Sequence, residues 1–151
     1  MKKLPTPSRI AAFLKHPDKI YLLEAFVLLL YARILVVFRP FKEIAPTLGN
    51  HMQESASEPS MDQLEEAKAI GRAIKRVSQF TPVRSMCFEQ AITASIMLSK
   101  RGISTTTYFG VLKDESVKEG LKAHAWIKVG ETTITGNRGM NKFTVVSTFG
   151  K

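Results

Sequence analysis

KAHAWIKVGETTITG, residues 122–136, is the stretch that decides how the C-terminal half of the chain folds. Lys122–Val129 alternates in the manner of a strand, Gly130-Glu131 suits a two-residue turn, and Thr132–Gly136 is rich in β-formers. The reading is a β-hairpin. Pairing across the turn sets Val129 opposite Thr132. Counting outward, Trp126 then opposes Thr135, and His124 opposes Asn137. The hairpin carries a histidine next to a tryptophan, with the small residues Ala123 and Ala125 on either side of the imidazole.

Working outward, ISTTTYFGVL (103–112) reads as a strand and 113–121 as a charged loop. KFTVVSTFG (142–150) reads as a last strand. Upstream, MCFEQAITASIMLSKR (86–101) reads as a helix that stops at Gly102, with Ser85 as its cap. Ser60 opens SMDQ, a capping-box pattern with Gln63 three residues on. Leu64, Ala67, Ile70, Ile74 and Val77 then recur at helical spacing, predicting a helix over 61–79. Helices followed by antiparallel strands make an α+β chain. The expected organisation is an N-terminal helical region over 1–45, a linker over 46–60 and a core over 61–151.

PDKIYLLEAFVLLLYARILVVFRPF (17–41) predicts a helix over 18–39, started at Pro17-Asp18 and stopped by Pro40. It is apolar almost all round. Glu24 and Arg33 interrupt it and, at about 100° per residue, fall on opposite faces. Three readings fit: a helix packed in the core or docking a partner, a helix lying on a membrane surface, and a membrane span. The two charges weigh against a span.

The net charge is +9. Residues 1–50 hold eight Lys and Arg against three Asp and Glu, a balance of +5. Residues 51–100 balance six against six, and 101–151 hold eight against four, +4. This favours an acidic partner. No run of Lys and Arg interleaved with aromatics is present, which argues against nucleic acid. The single cysteine excludes an internal disulfide and fits a reducing, cytoplasmic compartment. One Cys and three scattered His (His16, His51, His124) lack metal-ligand spacing, so neither metal nor cofactor is expected. The N-terminus lacks the apolar core and cleavage site of a signal peptide.

With Ser85 as cap, Cys87 falls at the second helical position. Unpaired N–H groups and the helix dipole stabilise a thiolate in that first turn. A lone cysteine also serves as a small buried hydrophobe. A lone histidine in a strand is commonly a hydrogen-bonded structural residue. Together, a cysteine at a helix start and a histidine on a following strand suit a nucleophile and its base. Asn137, placed opposite His124, either orients the ring or is simply a turn residue. Trp126 either walls a groove or packs the core. Lys113, Lys118 and Lys122 either attract an acidic peptide or are solvated. Gln79 is a weak candidate for an oxyanion donor.

RSMCFEQAITASIMLSKRGISTTTYFGV followed by KAHAWIKVG resembles the transglutaminase-like, papain-related cysteine peptidases of lasso-peptide biosynthesis, in particular their short stand-alone leader peptidases. The resemblance implies a transglutaminase-like core, with the Cys-bearing helix packed on an antiparallel sheet of about four strands. It implies removal of a leader from a ribosomally made precursor. A small leader-recognition protein would deliver the precursor, and an ATP-dependent macrolactam cyclase would act next. It also implies Cys87 as nucleophile and His124 as base. The family's third residue is an Asp beyond the His. Gly136 stands at that place, and no Asp follows Asp114, which leaves three options: Asn137 substitutes, another group or water serves, or Cys87 and His124 work as a dyad. The helix over 18–39 is the expected surface for the recognition protein. An acyl transferase and a non-catalytic peptide-binding relative are the alternatives.

Overall fold

The computed structural model describes residues 6–15, 17–82 and 86–151. Helix α1 (Pro7–Leu14) lies in the basic N-terminal segment, ahead of α2 (Lys19–Phe38). Helices α3 (Phe41–Ile44), α4 (Met61–Ser78) and α5 (Cys87–Ser99) follow. The strands are β1 (Asn50–His51), β2 (Thr106–Lys113), β3 (Leu121–Val129), β4 (Thr132–Thr135) and β5 (Thr144–Gly150). They form one antiparallel sheet in the order β1-β5-β2-β3-β4. The α+β class expected from the sequence holds, with a two-residue fifth strand at one edge.

The capping box at α4 forms as read. Ser60 Oγ accepts from the Gln63 N–H at 3.2 Å, and Gln63 Oε1 accepts from the Ser60 N–H at 3.0 Å. Two backbone donors at the helix start are thereby satisfied. The apolar stripe of α4 packs against α2 and α5. Leu22, Leu29, Ile70, Ile74, Leu98, Ile127 and Val129 join one core in which each is essentially removed from solvent. Each such side chain stabilises the fold by roughly 1.5–3 kcal/mol.

A second cluster joins Ala32, Ile44, Leu48, Ile92 and Phe149, with Phe88 and Phe109 packed against it. Residues of the expected linker belong to this part of the fold. Ala45–Leu48 form a 3₁₀ turn, and Asn50 and His51 pair with Gly150 and Phe149. The chain then crosses the sheet. The Ser55 N–H donates to Thr106 Oγ1 at 2.9 Å, and Gln53–Ser55 lie directly over Gly150.

Charged residues interrupting α2 are anchored to the core. Glu24 Oε2 meets Arg101 at 2.7 Å and its Oε1 meets Lys100 at 3.0 Å, while Arg33 meets Glu89 at 2.9 Å. The two ties hold α2 at both ends of α5.

In the hairpin, Val129 pairs with Thr132 as expected, but Ile127 rather than Trp126 pairs with Thr135. The register shifts after Lys128–Thr133, leaving Ile134 as the extra residue of a β-bulge. Ile134 turns toward α4, where its carbonyl lies close over Gly71. This one-residue offset governs what lies beside His124.

Candidate active site

Side chains alternate across a strand, and neighbours on β2 and β3 sort the candidate residues by face. Phe109, Ala125, Ile127 and Val129 face the helices, and Phe109 packs edge-on against Phe88 of α5 with centroids 5.4 Å apart. Tyr108, Trp126 and His124 occupy the other face. Tyr108 stacks on Trp126 at 5.6 Å and 9° between planes, and His124 stacks on Trp126 at 5.8 Å. Phe143 covers His124 from the segment before β5, with centroids 4.9 Å apart. Gly110, opposite His124, leaves the room these rings need; a Cβ there would sit 2.8 Å from Phe143 and 3.0 Å from Trp126.

The imidazole is held by the backbone. His124 Nε2 lies 2.6 Å from the Gly136 carbonyl oxygen. A carbonyl can only accept, so Nε2 carries the proton and Nδ1 is left as the basic nitrogen of a neutral ring. Asn137 does not fill the role assigned to it by pairing. The bulge at Ile134 removes it from register with His124, and the chain leaves the ladder at Gly136, whose φ is +78°. The Asn137 side chain is exposed, and among the described residues it makes no hydrogen bond to His124. Gly136 also admits no side chain, since a Cβ would fall 2.3 Å from the Ala125 oxygen. At the position where the resemblance would set an Asp, the group that meets the ring is a main-chain oxygen.

Cys87 is the first residue of α5, not the second. The cap is Met86, with no side-chain cap hydrogen bond, and Ser85 lies outside the described residues. The thiol is partly exposed. Two residues on, Glu89 is 2 % exposed and paired with Arg33, which fastens the first turn of α5 to α2. Sequence reading could not find this pair, because 56 residues separate its members. Helix α5 packs across β3, yet its first turn lies on the Phe109 side of the sheet and the His124 ring on the other. Among the described residues no hydrogen bond joins Cys87 to His124.

The remaining candidates sort simply. Trp126 is 5 % exposed and packs between Tyr108 and His124. Burial, with the Glu54 carboxylate accepting the hydroxyl at 2.8 Å, pushes Tyr108 up to about 12. Lys113, Lys118 and Lys122 are exposed around the open end of β2 and β3, and Gln79 caps the end of α4. No group of three or more His, Cys, Asp or Glu able to hold a metal occurs among the described residues.

The family model described as transglutaminase-like superfamily matches residues 29–148. The chain belongs to the transglutaminase-like superfamily. That assignment covers the second half of α2, α4, α5 and the sheet through most of β5. No curated protein matches the chain, and no solved structure matches it. A transglutaminase-like fold is compatible with cysteine peptidase or acyl-transfer chemistry. Both proceed through an acyl-thioester on a cysteine.

Proposed function

We propose that the chain is a cysteine peptidase that removes the leader from a ribosomally made lasso-peptide precursor. Cys87 is the nucleophile, His124 the general base and acid, and a small leader-recognition protein delivers the precursor. The observation that carries the reading is the 2.6 Å bond from His124 Nε2 to Gly136 O. It fixes the ring in the tautomer whose other nitrogen accepts a thiol proton, in a transglutaminase-like chain with one cysteine, at a helix start.

In this mechanism Nδ1 takes the Cys87 proton, and the thiolate attacks the carbonyl carbon at the leader–core junction. A C–S bond forms, and the oxyanion lies at the unpaired N–H groups of the first turn of α5. His124 Nδ1–H then protonates the departing amine as the C–N bond breaks. Water, deprotonated by Nδ1, hydrolyses the thioester and returns the thiol. The Gly136 oxygen keeps Nε2–H in place throughout and stabilises the imidazolium. The mechanism requires the Cys87 thiol, on the Phe109 side of the sheet, and the His124 ring, on the other, to be brought together when the precursor binds.

A second reading, a non-catalytic peptide-binding relative, draws on the positions of Cys87 and His124 on different sides of the sheet. One experiment separates the two. A cognate precursor and its recognition protein are incubated with wild type, Cys87→Ala, His124→Ala and Asn137→Ala, and the products are weighed by mass spectrometry. Peptidase action yields leader and core from wild type and Asn137→Ala, and neither product from the other two. An adduct of leader and amine identifies acyl transfer. Undiminished cleavage by Cys87→Ala removes the peptidase reading.

A further inference from the structure

Helix α2 is apolar on both sides, and only one side is covered by the protein. Leu22, Ala25, Leu29 and Ala32 are buried at 0–1 % exposure. On the opposite side Ile20, Leu23, Val27, Tyr31, Ile34 and Phe38 recur every three or four residues and are 47–77 % exposed. No charged residue falls within that stripe. The eighteen helical rises from Ile20 to Phe38 make it about 27 Å long. A contiguous apolar strip of this length on a surface marks an interaction site.

Charge decides its occupant. Exposed cations stand at both ends: Lys15 and Lys19 before the stripe, Arg39 and Lys42 after it. Among the described residues, Arg39 alone of these four forms an ion pair, with the exposed Glu43. Two copies pairing through the stripe, in parallel or antiparallel, would bring cation against cation. An anionic bilayer surface presents lipid chains to the stripe and headgroup charge to both basic ends. It also asks for no hydrogen-bonding complement, and the stripe offers only the Tyr31 hydroxyl.

We infer that α2 seats the protein on an anionic membrane, lying in the plane of the interface with its outer stripe in the headgroup–acyl boundary. The helix is long and apolar enough to cross a bilayer. Spanning would nevertheless expose the buried face and break the ties from Glu24 to Arg101 and from Arg33 to Glu89. An in-plane position keeps both.

The test is flotation of the full chain with vesicles of equal parts phosphatidylglycerol and phosphatidylcholine, and with phosphatidylcholine alone. The inference expects wild type to float with the anionic vesicles and to dissociate as salt rises. Val27→Glu/Ile34→Glu, two exposed sites, should lower partitioning by at least about tenfold with an unchanged thermal melt. Lys19→Glu/Lys42→Glu leaves the stripe intact and should weaken binding to anionic vesicles alone. Wild type remaining in solution at low salt overturns the inference, as does flotation indifferent to both variants. A stable dimer in solution that Val27→Glu/Ile34→Glu dissociates would assign the stripe to a second copy instead.

Discussion

Replacing Gly136 with alanine tests whether its main-chain oxygen orients the His124 ring. Two costs follow from the geometry. At φ +78° an L-residue loses roughly 1–2 kcal/mol relative to glycine. A Cβ would also stand 2.3 Å from the Ala125 oxygen and 2.8 Å from Trp126 Cβ, so the 136 backbone must move away from β3. That movement breaks the 2.6 Å bond to His124, worth about 1 kcal/mol. Together the loss is about 2–3 kcal/mol, a drop of roughly 4–12 °C in melting temperature for a domain of this size. Far-UV circular dichroism reads the melt. Gly139→Ala is the control: its φ is +73° but nothing lies within 4 Å of its Cβ, so only the conformational cost of about 1–2 kcal/mol applies. Imidazole nitrogen shifts of ¹⁵N-histidine protein read the ring directly. Wild type should give His124 as the Nε2–H form, and the variant should give a mixture. If Gly136→Ala melts with Gly139→Ala and retains a pure Nε2–H ring, the carbonyl does not orient His124.

Three further outcomes are expected. Burial alone would raise the Glu24 carboxyl, but hydrogen bonds from Arg101 and Lys100 outweigh it and hold it below its ordinary value. Its stabilisation is therefore complete above the unfolded carboxylate range and is lost as pH falls through the lower folded value. The melting temperature of wild type should fall more steeply than that of Glu24→Gln between about pH 5 and about pH 3; parallel curves would contradict this. Arg33→Met strands Glu89 in the core and should cost about 2–4 kcal/mol in urea unfolding, with much of the loss recovered by adding Glu89→Leu. Ser60→Ala removes the α4 cap and should cost about 1 kcal/mol, read as a lower urea midpoint at unchanged m-value.

The parts of this fold that announce themselves in sequence are those set by local chemistry. Ser60 and Gln63 cap α4 because the capping box needs only four consecutive residues. Pro40 ends α2, and Gly130-Glu131 turns the hairpin. What escaped reading depends on partners distant in the chain. The bulge at Ile134 arises from packing against α4, and nothing in Thr-Thr-Ile-Thr signals an extra residue. A strictly alternating count therefore carried Asn137 to a position beside His124 that the Gly136 carbonyl occupies. Backbone oxygens leave no trace in residue identity, so this orienting group could not be found by searching for side chains. Pairing of Arg33 with Glu89 and of Asn50-His51 with β5 is hidden for the same reason.

The two rims of the sheet are covered only in part. On one side His51 and Asn50 form a short selvedge along β5, and the chain folds back over Gly150 immediately afterwards. On the other, β4 is four residues long and bent by its bulge. Beyond these short margins, Leu121–His124 of β3 and Thr144–Val146 of β5 have no neighbouring strand on their outer side among the described residues, so a guest strand has ladder to join there. A lasting companion can therefore be held by main-chain pairing along those stretches, which leaves the greasy back of the second helix to the lipid surface.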